Sequence, residues 1–351
     1  MLDSALGKID FAALEARDQS RFDASVRAAS QALDPLQREL KRYTILLTGQ
    51  SHMDMAWLWP WTETVETVRS TFRTVLLLMM RNPEFTYTQS QTVAYAWMEE
   101  KYPDLFEEIK QRVKEGRWEL VGGMWVEPDL NMPDGESLVR QILYGKRYFQ
   151  EKFQVDVRVG WNPDSFGYNW QLPQIYKKSG IDYFMTVKLE SNDTNKFPYR
   201  LFWWQAPDGS KVLTYFPNGL NGGTDAVPMA RTFMEIAPES GTKEIMFIYG
   251  VGDHGGGPTQ LEIDKAKRLQ ATPLFPNLKF SVALPFFEDI QRNANRLKIP
   301  VWNDELYYEN HRGVFTTQAR TKRENRKSEI LLANAEKFAS LAQLFGRPYP
   351  Q

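Results

Sequence analysis

The chain has 351 residues, with 43 Lys plus Arg against 44 Asp plus Glu, for a formal net charge of -1. That balance argues against a general nucleic-acid or polybasic membrane binder, which needs a positive excess. Cysteine is absent, which excludes disulfide scaffolds, thiolate metal sites and thiol nucleophiles.

Residues 1–42 are rich in Ala, Arg, Asp and Gln and form a helical lead-in, with Asp34 as cap and Pro35 in the first turn of a helix reaching Arg42. From Tyr43 onward, strand-like runs alternate with helical stretches. The runs at 44–49, 85–89, 117–121, 157–161, 181–187, 244–249 and 278–282 are mostly dominated by β-branched, aromatic or aliphatic residues, as strands buried on both faces should be. Between them, Leu105, Ile109 and Val113 recur every four residues behind Asp104 as cap and before Gly116 as stop. Leu138, Ile142, Gly145 and Phe149 make a second stripe, and residues 172–178, closed by Gly180, a third. Segments 200–205 and 211–216 flank an Asp-Gly turn and read as an inserted β-hairpin. Residues 305–308 suggest a further short strand. Residues 317–344 have helical spacing, with Leu331, Ala335, Phe338 and Leu341 on one face.

Seven strands with intervening helices predict a mostly parallel sheet, because parallel neighbours need long crossovers. Closed, it is a seven-stranded β/α barrel; open, a doubly wound sheet; the pattern alone permits both. The longest apolar runs, such as 75–80, fall far short of the ~20 residues that span a bilayer. The N-terminal MLDSALGKID lacks the marks of a secretory signal, so the cytoplasm is the expected compartment. The composition leaves the oligomeric state open, a homo-oligomer included.

In parallel α/β folds ligands bind at the carboxyl ends of the strands. Nearly every predicted strand end here delivers a carboxylate, an imidazole or an indole. His52 and Asp54 follow the first strand; spaced i and i+2 in extended backbone, they point the same way and can grip a cation such as Zn²⁺. A bare HxD is more often a surface ion pair, but this one directly follows a buried strand and precedes Trp57 and Trp59. Asp164, in WNPDSFG, follows the fourth strand and can serve as a helix cap or a reactive carboxylate. Lys188 follows the fifth. The segment GDHGGG at 252–257 lacks the Gly-Lys-Ser/Thr of a Walker site and fits a loop holding Asp253 as an acid. The chain has three histidines, and His254 and His311 each read as a ligand or as a structural residue.

Taken together, SHMDMAWLWPWTET, GGMWVEPDLNMPDGESLVRQ, GWNPDSFGYNWQLPQI, GVGDHGGGPT and ELYYENHRGVFTTQARTKRENR resemble glycoside hydrolase family 38, the α-mannosidases, and most closely the bacterial and cytosolic type. The resemblance runs from about Thr44 to Leu344. It implies a Zn²⁺ site of His52, Asp54, Asp164 and His311, with His254 the other imidazole available for the fourth place. It further implies Asp164 as nucleophile, Asp253 as general acid/base, Trp57 stacking beneath the sugar and Lys188 as a basic residue beside the nucleophile. The expected organisation is a lead-in at 1–42, a β/α catalytic domain at 43–300 with the hairpin insertion at 200–216, and a strand plus the first helix of a truncated helical bundle at 301–351. Family members run longer, with further domains after the catalytic one.

The activity implied is zinc-dependent, retaining hydrolysis of terminal α-mannosidic linkages in a mannose-containing oligosaccharide, with no nucleic-acid or membrane partner. Two other readings compete: a metal-dependent carbohydrate deacetylase on a similar scaffold, and a truncated, non-catalytic carbohydrate-binding remnant.

Overall fold

A computed structural model describes residues 1–252 and 254–350. The described residues form ten strands: β1 Thr44–Gln50, β2 Tyr87–Gln89, β3 Trp118–Leu120, β4 Val159–Trp161, β5 Tyr183–Met185, β6 Leu201–Gln205, β7 Lys211–Tyr215, β8 Glu244–Tyr249, β9 Asn277–Phe280 and β10 Val301–Trp302. All seven predicted runs and both hairpin arms are therefore strands.

The strands do not close into a seven-stranded ring. They pair as two five-stranded sheets, one in the order β3-β2-β1-β8 with β9 also on β1, the other in the order β10-β6-β7-β5-β4. The pairings show why the ring is open. β9 occupies β1 from Thr44 to Leu47, and β2 takes over only at Gly49 and Gln50. The outer edge of β8 meets side chains instead of a strand: Tyr215 Oη donates to the Met246 carbonyl at 2.8 Å, and the Asn218 amide pairs with Ile248 at 2.9 and 2.8 Å. On the other side a single bond, Gly122 N–H to the Val159 carbonyl at 2.7 Å, runs from the end of β3 to β4. Side chains and one peptide link thus stand where ladders would seal a barrel, and the fold is α/β with largely parallel sheets.

β1 is buried along its whole length, and the strands beside it are covered by amphipathic helices that bury one face each. The helix Trp61–Arg81 buries Val65, Val68, Phe72, Val75 and Met79. The helix Gly135–Phe153 packs through Gly145, where a Cβ would lie 2.2 Å from the Gly123 carbonyl oxygen, so only glycine admits this approach. The predicted helices form as Asp34–Leu40, Pro103–Lys114 and Leu172–Lys178; Asp34 and Asp104 do not cap them but sit in their first turns, behind Leu33 and Tyr102 at the cap positions.

Beyond residue 300 the pattern departs from expectation. The short strand is Val301–Trp302, parallel to β6, and within 305–308 only Leu306 bridges, to Tyr168. Glu309 explains the irregular path. Its carboxylate accepts from the Thr194 N–H and hydroxyl and from the Asn195 N–H and side-chain amide, at 2.5 to 2.9 Å, which ties the segment to a loop instead of a ladder. The Thr194 hydroxyl leads the donors that hold this carboxyl down at about 2. The helix Ala319–Leu344 buries none of its residues, and Leu331, Phe338 and Leu341 remain exposed. It meets the body through polar contacts, namely Arg326 to the Met132 carbonyl, Glu329 to the Asp134 N–H, and Arg140 to Glu336.

Candidate active site

The parallel strands within each sheet bring their carboxyl ends to a common rim. There His52, Met53, Asp54, Gln91, Glu127, Asp129, Asp164, Ser165 and Phe166 line a cavity of about 310 Å³, which Val314 and Lys322 border from the C-terminal segment.

The loop after β1 is held from three sides. Gln91, in a left-handed conformation at φ 66°, donates from its side-chain amide to the Met53 carbonyl at 2.5 Å, between His52 and Asp54. The Thr64 hydroxyl lies 3.0 and 2.9 Å from the carbonyls of Asp54 and Met55. The Gly255 N–H donates to the His52 carbonyl at 3.1 Å. One ligand atom each from His52, Asp54 and Asp164 lies within 4.8 Å of the others. Side chains 110 residues apart in sequence therefore converge.

His52 is 5% exposed. Its Nε2 lies 3.0 Å from Glu127 Oε2, while its Nδ1 is buried with no hydrogen-bond partner among the described residues. Burial disfavours a charged ring here. The Glu127 hydrogen bond and the charges of Glu127, Asp164 and Asp54 outweigh it and push the imidazole up to about 9. The other Glu127 oxygen accepts the Asp164 backbone N–H at 2.6 Å. Lys188 Nζ pairs with Asp164 Oδ1 at 2.5 Å and sits over the rings of Phe166 and Tyr308, at 4.6 and 5.4 Å from their centroids. Glu127 had no assigned role in the sequence reading, although the clue was present: it is one of the carboxylates following β3.

The other candidates lie elsewhere. His311 has left-handed backbone at φ 58°, is exposed, and packs its ring 5.1 Å from Phe166, outside the His52–Asp54–Asp164 group. His254 is turned away onto Trp59, with ring centroids 3.6 Å apart, and Nε2 lies 3.2 Å from Glu63 and 3.3 Å from Thr67. Trp57 is 65% exposed, edge-on to Trp59, and does not line the cavity. Asp253 lies outside the described residues.

The profile of the Glycosyl hydrolases family 38 N-terminal domain matches residues 42–305. The chain belongs to glycosyl hydrolase family 38. Among similar proteins, Alpha-mannosidase G of Dictyostelium discoideum is 39% identical over 330 residues, covering 93% of this chain and 30% of that protein. Human Alpha-mannosidase 2C1 is 39% identical over 305 residues, covering 86% and 29%. A solved structure of an alpha-mannosidase from Enterococcus faecalis V583 shares the fold with a TM-score of 0.63 at 22% identity, covering 75% of this chain and 31% of that one. This family 38 chain thus spans about 30% of the length of the curated relatives it matches. No helix among its described residues is long and apolar enough to cross a membrane.

Proposed function

We propose that this family 38 chain carries the catalytic site of a zinc-dependent, retaining α-mannosidase that hydrolyses terminal α-mannosidic linkages in mannose-containing oligosaccharides. The observation that carries the reading is the convergence of His52, Asp54 and Asp164 within 4.8 Å at the strand ends of a family 38 domain. One imidazole nitrogen with two carboxylates is a donor set suited to Zn²⁺, and the buried His52 Nδ1 is a ligand atom with no hydrogen-bond partner among the described residues. His311 is the proposed fourth ligand. When bound, Zn²⁺ supplies a Lewis-acidic centre for sugar hydroxyls.

The chain's own residues account for the rest. Asp164, ion-paired with Lys188, attacks the anomeric carbon and forms a covalent glycosyl-enzyme as the glycosidic bond breaks. Asp253 gives its proton to the departing oxygen, then takes one from the water that releases the sugar. Lys188 holds the Asp164 carboxylate in place, and Trp57, exposed beside the cavity-lining Ala56, offers a face for the sugar ring.

The test is hydrolysis of p-nitrophenyl α-mannoside by this chain. Turnover should fall on chelation and return with added Zn²⁺. Failure to cleave this substrate, with acetate release from an acetylated sugar instead, would replace the reading with the deacetylase alternative.

A further inference from the structure

Glu127 is a charged side chain only 9% exposed, and it spends both of its oxygens on the site. Oε2 meets His52 Nε2 at 3.0 Å and Oε1 accepts the Asp164 backbone N–H at 2.6 Å. Its own backbone is anchored just upstream. The N–H groups of Thr92 and Val93, at the start of the helix Thr92–Lys101, donate to the carbonyls of Met124 and Trp125 at 3.3 and 2.9 Å. Trp125 and Val126 donate in turn to the Gln141 carbonyl and side-chain oxygen, both at 3.0 Å. Gly123 is pressed against Gly145 on the same helix as Gln141. The carboxylate is thus fixed from behind, while its head joins a loop after β1 to a loop after β4.

We propose that Glu127 is the positioning residue of this site, fixing His52 so that Nδ1 faces a metal and locking the Asp164 backbone in register with it. The inference rests on the metal-site reading above. The chemistry favours a carboxylate. When His52 is neutral, its Nε2–H donates to Glu127 and the Nδ1 lone pair is left free, since a histidine ligand commonly gives its second N–H to a carboxylate. Asp164 also presents an N–H donor. Both bonds therefore need an acceptor, and a carboxylate accepts at both ends. Glutamine accepts at one end only. In one orientation its amide faces Nε2 and forces the proton onto Nδ1; in the other it opposes the Asp164 N–H.

The experiment compares the wild-type chain with Glu127→Gln by Zn²⁺ titration calorimetry, with melting and far-UV circular dichroism as folding controls. Wild type should bind one Zn²⁺, and a folded Glu127→Gln should bind about 10- to 100-fold more weakly, the usual cost of losing such a partner. Equal affinities would overturn the positioning role and leave the metal site standing. Failure of the wild type to bind Zn²⁺ would remove the metal site itself and this inference with it. A second measurement needs no variant. Imidazole ¹⁵N spectra of Zn²⁺-loaded wild type should show His52 protonated at Nε2 and metallated at Nδ1; metallation at Nε2 would overturn the proposal even if the variant fails to fold.

Discussion

At the scale of single residues, Asp164 carries more demands than any other side chain of the site. Its carboxylate belongs to the ligand group, pairs with Lys188, and is the proposed nucleophile, while its N–H is held by Glu127. Two substitutions separate these roles. Asp164→Ala removes nucleophile and ligand together, so turnover of a nitrophenyl α-mannoside should fall by on the order of 10⁴-fold or more, with much of the Zn²⁺ affinity. Retained turnover would refute the assignment. Lys188→Met keeps the ligand group and deletes one charge-assisted bond, about 1.5–3 kcal/mol, so kcat/KM should drop roughly 10- to 100-fold with Zn²⁺ still bound at one per chain. Loss of the metal in this variant would mean that Lys188 holds the group together and does not act on the reaction alone. His52, Asp54, Asp164 and Lys188 were legible because each follows a buried strand within a few residues, where backbone direction fixes the rim. Glu127 was not, because six residues separate it from β3 and its role lies in two hydrogen bonds that no spacing encodes.

At the scale of elements, Glu119 shows how a strand and a helix are joined through one carboxylate. From the centre of β3 it accepts from the N–H groups of Ala283 and Leu284 at 2.7 and 2.8 Å and from the Thr88 hydroxyl at 2.9 Å, so it caps the helix Ala283–Asn293 from a distance. Enclosure raises its pKa from 4.5 to about 6, although all three donors pull the other way. The sign follows. Below about pH 4.5 both folded and unfolded forms are protonated and the group contributes nothing; above pH 6 the folded state carries the full cost of ionising it. Glu119→Gln has no such titration. The wild type should therefore lose about 2 kcal/mol relative to the variant between pH 4 and pH 7, at 1.36 kcal/mol per unit. A difference in urea-unfolding free energy that stays flat over this range would show that the cap offsets the enclosure. The strands themselves were legible because their apolar, β-branched and aromatic runs contrast with amphipathic helices. Ring closure was not, since it turns on whether Tyr215 and Asn218 or a backbone ladder meets the edge of β8.

At the scale of the whole molecule, the site is assembled from parts of unequal firmness. His52 and Asp164 follow β1 and β4, strands buried throughout that share one apolar core with β8. The segment that carries His311 and lends Val314 to the cavity wall leads into the helix Ala319–Leu344, which lends Lys322 and buries no residue. That helix is fastened by the Arg140–Glu336 pair and by the contacts of Arg326 and Glu329 to the 132–134 turn. Among these contacts Arg140–Glu336 is an ion pair, and partly exposed pairs of this kind contribute about 0–1 kcal/mol and weaken with salt; the other two are single side-chain-to-backbone hydrogen bonds. A helix without tertiary burial is marginal in water. Amide hydrogen exchange should accordingly show two classes. The amides of β1 and β8 should exchange only through global unfolding, while those of 319–344 exchange by local opening, several kcal/mol more easily and faster still as NaCl rises from 0.05 to 1 M. Zn²⁺ adds a further arm to the test. If His311 completes the site, loading should slow exchange in 311–322 without changing the rates in β1. Protection across 319–344 equal to that of β1, at any salt, would show that the helix folds as one unit with the sheets and that its polar contacts hold far more firmly than surface pairs do.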